Sequence, residues 1–295
     1  MTRMGSILIV NPKASGVSGK VVERVRAALA PDVQVLETGG PGDATAMAQQ
    51  HESTADAIYV FSGDGTYNEV VNGVTGTVPL GFLPGGGTSV LPRALGLGRD
   101  PVAAARLAAS GVAKAIGLGR VNGRRFTFNA GIGLDAELVR RIDNRGRRDD
   151  GRRPGDLAFT NEVLRLLTER RGRFPDTLEV EGEGPAAFAV VANCRPYTYV
   201  GPLGLPIAPR ASFDGGLDLV APSNIRVVDL PRLALAALRG ARPGHGLLVL
   251  HDRDRIVVRC RRPLPLQADG EDLGDVEEAV LESEPAAVTA LVPAG

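Results

Sequence analysis

Short apolar runs alternate with amphipathic stretches over the first third of the chain. Residues 6–10, 57–61 and 80–83 are largely apolar runs of strand length, and residues 33–37 also read as a strand. Between them, residues 20–29 place Val21, Val22, Val25 and Leu29 at helical spacing, and residues 43–51, 67–74, 89–95 and 101–110 also read as helices. This alternation predicts a parallel sheet with helices on both faces. After about residue 112 the pattern changes. Strand-like pieces dominate, at 113–118, 125–129, 177–180, 187–193, 217–220, 255–260 and 264–268, separated by Gly, Pro and polar turns. Helices are expected at 157–168 and 229–238, and residues 288–292 read as a last strand. The expected fold is therefore an α/β domain over 1–115 followed by a mostly antiparallel β-sandwich domain over 116–279, with the tail 280–295 returning to the first.

Three glycine-rich loops follow predicted strands, so a parallel sheet would carry them to one end, where such folds bind ligands. The most informative is Ser62-Gly63-Asp64-Gly65-Thr66, between a buried strand and a helix. Glycine lets the backbone approach a phosphate, and a helix start offers free N–H groups. A carboxylate there repels a bare phosphate. Asp64 makes sense beside a Mg²⁺ ion, or as the acceptor of a proton from an attacking hydroxyl. An isolated Gly-Asp-Gly is more often a plain turn; its company distinguishes this one. Asn11 to Lys20 resembles a phosphate loop but lacks the Walker A pattern, with Ala14 and Val21 at positions that need Gly and Ser or Thr. Pro84 to Ser89 holds three consecutive glycines, costly in entropy for a turn of purely structural purpose.

Composition narrows the partners. The chain has 295 residues and a formal net charge of zero, with 34 basic and 34 acidic side chains, so no global field recruits nucleic acid. The Arg-rich stretch 140–156 reads as a solvated face, or more sharply as a patch for anionic lipid headgroups. It has no interleaved aromatics to stack on bases. Cys194 and Cys260 are expected as reduced core residues. His51, His245 and His251 show no ligand spacing. No apolar run reaches the length of a membrane-spanning helix, and the N-terminus lacks a signal-peptide pattern, so a cytoplasmic, soluble or peripheral protein is expected.

Taken in order, the motifs resemble the diacylglycerol kinase catalytic-domain family, which includes bacterial lipid kinases and sphingosine kinases. They are Asn11-Pro12 with Ser15-Gly16; Thr38 with Gly42-Asp43-Ala44; Ser62 to Thr66 with Asn68-Glu69; Pro84 to Thr88 with Arg93 to Gly96; Asn129 to Ala136; Ala208-Pro209 through Asp218; and Asp269-Gly270-Glu271. The resemblance implies an ATP-binding domain related to phosphofructokinase and NAD kinase, a lipid-binding β-sandwich domain, and ATP and Mg²⁺ as cofactors. It implies Asp64 and Glu271 as catalytic carboxylates. Asn11, Ser15, Thr38, Gly63, Gly65, Thr66, Glu69, Gly86, Gly87 and Thr88 are implied nucleotide contacts. Asp64, Asp214 and Asp218 are implied metal ligands. Ser89 departs from the Asn usual in bacterial members, which weakens expected nucleotide binding by about 1 kcal/mol.

The expectation is an ATP-dependent lipid kinase acting on a hydroxyl such as that of diacylglycerol or a sphingoid base, peripheral at the inner membrane leaflet. A soluble-substrate kinase resembling NAD kinase and a non-catalytic lipid- or nucleotide-binding relative are the alternatives. Dimers would be unsurprising, although no paired face is visible in the sequence.

Overall fold

The computed structural model describes residues 5–30, 32–144, 162, 165–166, 168–200, 203–205, 207–229 and 246–294. The chain divides into two compact units, Met1–Leu118 with Pro285–Gly295, and Gly119–Glu284.

In the first unit the elements are β1 (Ile7–Val10), α1 (Gly19–Leu29), β2 (Gln34–Glu37), α2 (Asp43–His51), β3 (Ile58–Ser62), α3 (Asp64–Gly73), β4 (Pro79–Pro84), α4 (Val90–Ala94) and α5 (Pro101–Ala109). Strand β5 (Val112–Val121) leads out of it. β2, β1, β3 and β4 lie side by side, every neighbour parallel. β1 and β3 are buried along their whole length. That is why they read as unbroken apolar runs rather than alternating ones. Thr289 and Ala290, near the far end of the chain, pair in parallel with Pro79 and Leu80 and extend the sheet beyond β4. Local chemistry sets the helix starts. The Asp100 carboxylate caps α5 by accepting the Ala103 N–H at 2.7 Å, with Pro101 at the first helical position. Helices α2 and α3 pack so closely that a Cβ on Gly73 would lie 2.5 Å from the Thr45 carbonyl oxygen.

The second unit continues with β6 (Arg124–Phe126), β7 (Asn129–Ile132), α6 (Leu134–Asn144), β8 (Arg173–Phe174), β9 (Leu178–Val180), β10 (Gly184–Ala186), β11 (Ala189–Ala192), β12 (Thr198–Val200), β13 (Leu203–Leu205), β14 (Leu217–Pro222), β15 (Ile225–Arg226), β16 (Leu247–Arg253), β17 (Arg255–Ala268) and β18 (Glu271–Val292). β16, β14, β11, β7 and β17 form an antiparallel sheet. The part of β18 up to Glu282 pairs with β17. The main core cluster of this unit buries Phe126, Ile132, Val191, Leu219, Val258, Leu266 and Leu281, and smaller clusters form around Val220 and Leu247 and around Phe174 and Ile225.

Several elements differ from the sequence expectation. Helix α3 begins at Asp64 itself, so the Gly-Asp-Gly segment is a first helical turn. The strand expected at 125–129 is broken at Thr127 and Phe128, whose N–H groups go to Asp269 rather than to a neighbouring strand. The pieces at 255–260 and 264–268 are one strand with a register shift between Arg259 and Leu264. The strand expected at 288–292 is the end of a 22-residue strand. Its polar first part carries too few apolar positions to read as a strand. Helix α6 was not anticipated. The helix expected at 229–238 lies outside the described residues beyond Asp229, and that expected at 157–168 does so for most of its length.

Candidate active site

The first unit draws its three glycine loops together by backbone contact. The Gly16 N–H donates to the Gly85 carbonyl at 2.8 Å, joining the loop after β1 to the loop after β4. A Cβ on Gly86 would lie 2.8 Å from the Gly63 Cα, so the loops after β3 and β4 meet where only glycine fits. The Asn11 amide donates to the Thr66 hydroxyl at 3.3 Å, joining the first and second loops. The Ser62 hydroxyl, buried, donates to the same Thr66 oxygen at 2.8 Å.

Asp64 sits half-buried at the N-terminus of α3, where a carboxylate complements the helix dipole. Its Oδ1 accepts the Leu91 N–H at 3.3 Å, tying it to α4. Gly87 is exposed, with open space where its Cβ would be. Thr88 is half-buried and Ser15 exposed. Thr38 is buried, and its N–H donates to the Val10 carbonyl at 2.9 Å, so it extends the β1–β2 ladder. Glu69 accepts the Ala44 N–H at 3.2 Å and thereby caps α2 with its side chain. A groove of about 560 Å³ runs along α1, β2 and the end of β1, lined in part by Pro12, Val17, Val22, Gln34 and Glu37.

Beneath these loops, Tyr67 was not singled out in the sequence, and Ser89 was noted there only as a departure from Asn. The Tyr67 side chain is fully buried, and its hydroxyl lies 2.6 Å from the carbonyl oxygens of both Ser62 and Leu83. Burial first, then the Asp64 charge, push its pKa well above the phenol range, so it stays a hydrogen-bond donor. Ser89 takes a left-handed conformation with φ +46°, and its hydroxyl both accepts the Gly86 N–H at 3.1 Å and donates to the Gly86 carbonyl at 3.2 Å.

In the second unit Asp269 and Glu271 play different parts. Asp269 is buried and accepts hydrogen bonds from the N–H groups of Thr127, Phe128 and Asn129 and from the Thr127 hydroxyl. Glu271, half-buried, is 2.9 Å from an Arg124 guanidinium nitrogen. Nearby lies a polar cluster that the motifs did not flag as a unit. The Tyr197 hydroxyl donates to Asp135 Oδ1, and Gln267 Nε2 lies 2.7 Å from Asp135 Oδ2 and 2.8 Å from Asn129 Oδ1. Burial raises the Asp135 pKa against these hydrogen bonds. The signal was available: Asn129, Asp135 and Gln267 all stand inside or beside the quoted motifs.

Asp214 is exposed. Asp218 is buried, with Oδ1 accepting the Asp252 N–H at 3.0 Å and Oδ2 3.1 Å from His251 Nδ1. Among the described residues, no group of three or more His, Cys, Asp or Glu side chains is placed to hold a metal. The described part of the Arg-rich patch is paired. Arg140 meets Asp272 and Asp275, and Arg141 meets Glu137 and Glu169, so both guanidiniums are already neutralised. Residues 145–156 lie outside the described ones. Both cysteines are free thiols; Cys194 is buried, and burial pushes the half-buried Cys260 up to about 11. No helix among the described residues is long and apolar enough to cross a membrane.

Comparison with known proteins agrees with this architecture. Residues 6–121 match the family model of the diacylglycerol kinase catalytic domain, and residues 129–292 match that of the YegS C-terminal NAD kinase beta sandwich-like domain. A Bacillus subtilis (strain 168) protein named diacylglycerol kinase is 31% identical over 238 residues, which cover 78% of this chain and 76% of its own. A crystal structure of a diacylglycerol kinase from Bacillus anthracis str. Sterne superposes with a TM-score of 0.71 at 22% identity, covering 99% of this chain and 98% of that one. An NAD kinase from Archaeoglobus fulgidus, solved in complex with ATP, gives 0.50 at 14% identity over 98% and 93%. At those identities the two structures speak for the fold: an α/β domain of the diacylglycerol kinase and NAD kinase type followed by a β-sandwich domain. With both family models matched in order and the Bacillus subtilis relative aligned over most of its length, this chain belongs to the diacylglycerol kinase family.

Proposed function

We propose that this protein is an ATP-dependent lipid kinase that transfers the γ-phosphate to a lipid hydroxyl such as that of diacylglycerol or a sphingoid base. The observation that carries the reading is the convergence of three glycine loops, through Gly16, Gly63, Gly85 and Gly86, beside the Asp64 carboxylate. Free N–H groups and side-chain-free backbone suit the phosphates of ATP, and positioning supplies most of the catalysis in such transfers. The lipid oxygen bonds to the γ-phosphorus, the bond to the ADP oxygen breaks, and the hydroxyl proton passes to Asp64 or Glu271.

Asp64 fits Mg²⁺, because it is a half-buried carboxylate at the mouth of the glycine loops, and its hydrogen bond from Leu91 is long. When bound there, magnesium supplies neutralisation of charge on the transferred group. To ligate a metal, Asp218 would have to exchange its bonds to His251 and Asp252, so no step is routed through Asp214 and Asp218. Asn11 and Thr66 hold the loops in register, while Ser15, Gly65, Gly87 and Thr88 face the nucleotide in this reading. The substrate places the protein at a membrane surface.

The test is transfer of radiolabelled phosphate from ATP into a lipid extract in detergent micelles, with Mg²⁺, beside the Asp64→Asn variant. A labelled lipid that is lost in the variant is the expected result. Transfer that survives Asp64→Asn would overturn the mechanism. The likeness to an NAD kinase fold favours a second reading, a soluble acceptor; label appearing in a water-soluble product and in no lipid would select it.

A further inference from the structure

We infer that the β12–β13 hairpin is the element by which this protein inserts into an anionic lipid surface. The two strands pair antiparallel, Thr198 opposite Leu205 and Val200 opposite Leu203, and form a two-stranded sheet separate from the larger one. Its two faces differ. A Cβ on Gly204 would lie 2.9 Å from Pro196 Cβ and Cγ and 3.4 Å from the Tyr199 ring, so that face is closed against its own neighbours. Strand alternation turns Leu203 and Leu205 to the opposite face, where they are 71% and 42% exposed. Single exposed leucines are ordinary, but two on one uncovered face of a short hairpin are a liability in water unless something covers them.

The charge pattern says what covers them. From Pro196 to Pro209 the chain carries no charged residue, and Arg195 and Arg210 bracket that run. The Arg195 guanidinium donates to the Pro209 carbonyl at 3.3 Å, which closes the base of the hairpin. Both arginines are exposed, and among the described residues neither has a carboxylate partner. Arg140, Arg141 and Arg170, by contrast, are spent on Asp272, Asp275, Glu137 and Glu169. Exposed Leu203 and Leu205, on a hairpin whose base carries two cations without a carboxylate partner among the described residues, match a bilayer with anionic headgroups: leucines enter the acyl boundary while the arginines stay at headgroup level. A second copy of the chain is the weaker occupant, since two leucine side chains fall far short of the roughly 1,200 Å² that a stable protein interface buries.

This inference extends the lipid-kinase reading, and its test separates the two. Co-sedimentation with vesicles of phosphatidylcholine and phosphatidylglycerol, without ATP, reads the hairpin alone. Leu203→Ser with Leu205→Ser should lower partitioning by about tenfold or more. Arg210→Gln should weaken binding to the anionic vesicles and leave binding to pure phosphatidylcholine unchanged. Because the chain contains no tryptophan, Leu203→Trp gives a clean reporter, whose emission should shift to the blue on adding anionic vesicles. Partitioning unchanged in the double serine variant, or no shift of the indole emission in Leu203→Trp, would overturn the inference. So would self-association that the serine variant abolishes while vesicle binding persists, which would assign the face to a second copy. Phosphate transfer to a short-chain soluble acceptor should be equal in wild type and serine variant; vesicle binding without any transfer would retire the kinase reading and leave the hairpin standing.

Discussion

The Tyr67 hydroxyl lies 2.6 Å from the Ser62 carbonyl oxygen, one residue before the Gly-Asp-Gly turn. The same hydroxyl is as close to the Leu83 carbonyl, one residue before Pro84 and the glycine triplet. A side chain from the first turn of α3 thus holds the exits of β3 and β4 together. Tyr67→Phe keeps the ring and its edge contact with Phe82 but loses this tie. Ser62 retains the Gly85 N–H as donor, so the expected loss of stability is modest, about 1 kcal/mol. The KM for ATP should rise with kcat changed less, which steady-state kinetics beside a thermal melt would measure. A stable variant with unaltered KM would remove Tyr67 from loop positioning.

Ser89 stores a left-handed backbone conformation and offsets it with two hydrogen bonds to the Gly86 peptide. Ser89→Ala keeps the conformational cost and drops both bonds. It should lose about 1–2 kcal/mol of stability. Ser89→Gly relieves the backbone but not the loop, so it should recover stability while ATP affinity stays weakened. Equilibrium binding of ATP to both variants tests the distinction; full affinity in Ser89→Gly would show that the hydroxyl does not order the glycine loop.

Asp269 ought to behave as a structural carboxylate. Asp269→Ala leaves three backbone N–H groups and one hydroxyl without their acceptor in a buried place, at a cost of about 3 kcal/mol or more. Chemical denaturation would read it directly. Glu271→Gln, two residues on, should leave the denaturation midpoint nearly unchanged and affect transfer instead. The opposite pattern would exchange their roles.

Acid should act through Glu284. Its carboxyl is held below the usual glutamate range, chiefly by its hydrogen bond from Arg125, which is only 11% exposed. The unfolded chain therefore takes up this proton at higher pH than the folded one. The pair's contribution is complete above the ordinary glutamate pKa of about 4.3 and is lost as pH falls through the lowered folded value. Melting temperatures measured down the acid side should drop more steeply in wild type than in Glu284→Gln. Parallel curves would mean that the pair adds nothing that titrates.

What the sequence made legible was what local pattern dictates. Unbroken apolar runs marked β1, β3 and β4, and glycine clusters marked the loops that follow them. The start of α3 was hidden because Gly63 and Gly65 weaken any helical pattern, while the turn is set by backbone bonds from the Thr66 and Tyr67 N–H groups to the Gly63 carbonyl. Asp269 and Glu271 looked alike as a pair of carboxylates; only burial and the donors around Asp269 separate them. Helix α6 was masked by its charges, since Arg140 and Arg141 find their partners on distant segments such as Asp272 and Glu169.

The strand that adds Thr289 and Ala290 to β4 has a consequence for synthesis in the cell. The first unit is discontinuous in the chain, and the segment that finishes its sheet leaves the ribosome only after all of Gly119–Glu284 has been made. Until then the outer edge of β4 lacks that partner, an invitation to mispairing in a nascent chain. A message cut short within the second unit would therefore yield not a spare first domain but an unfinished one, fit for proteolysis.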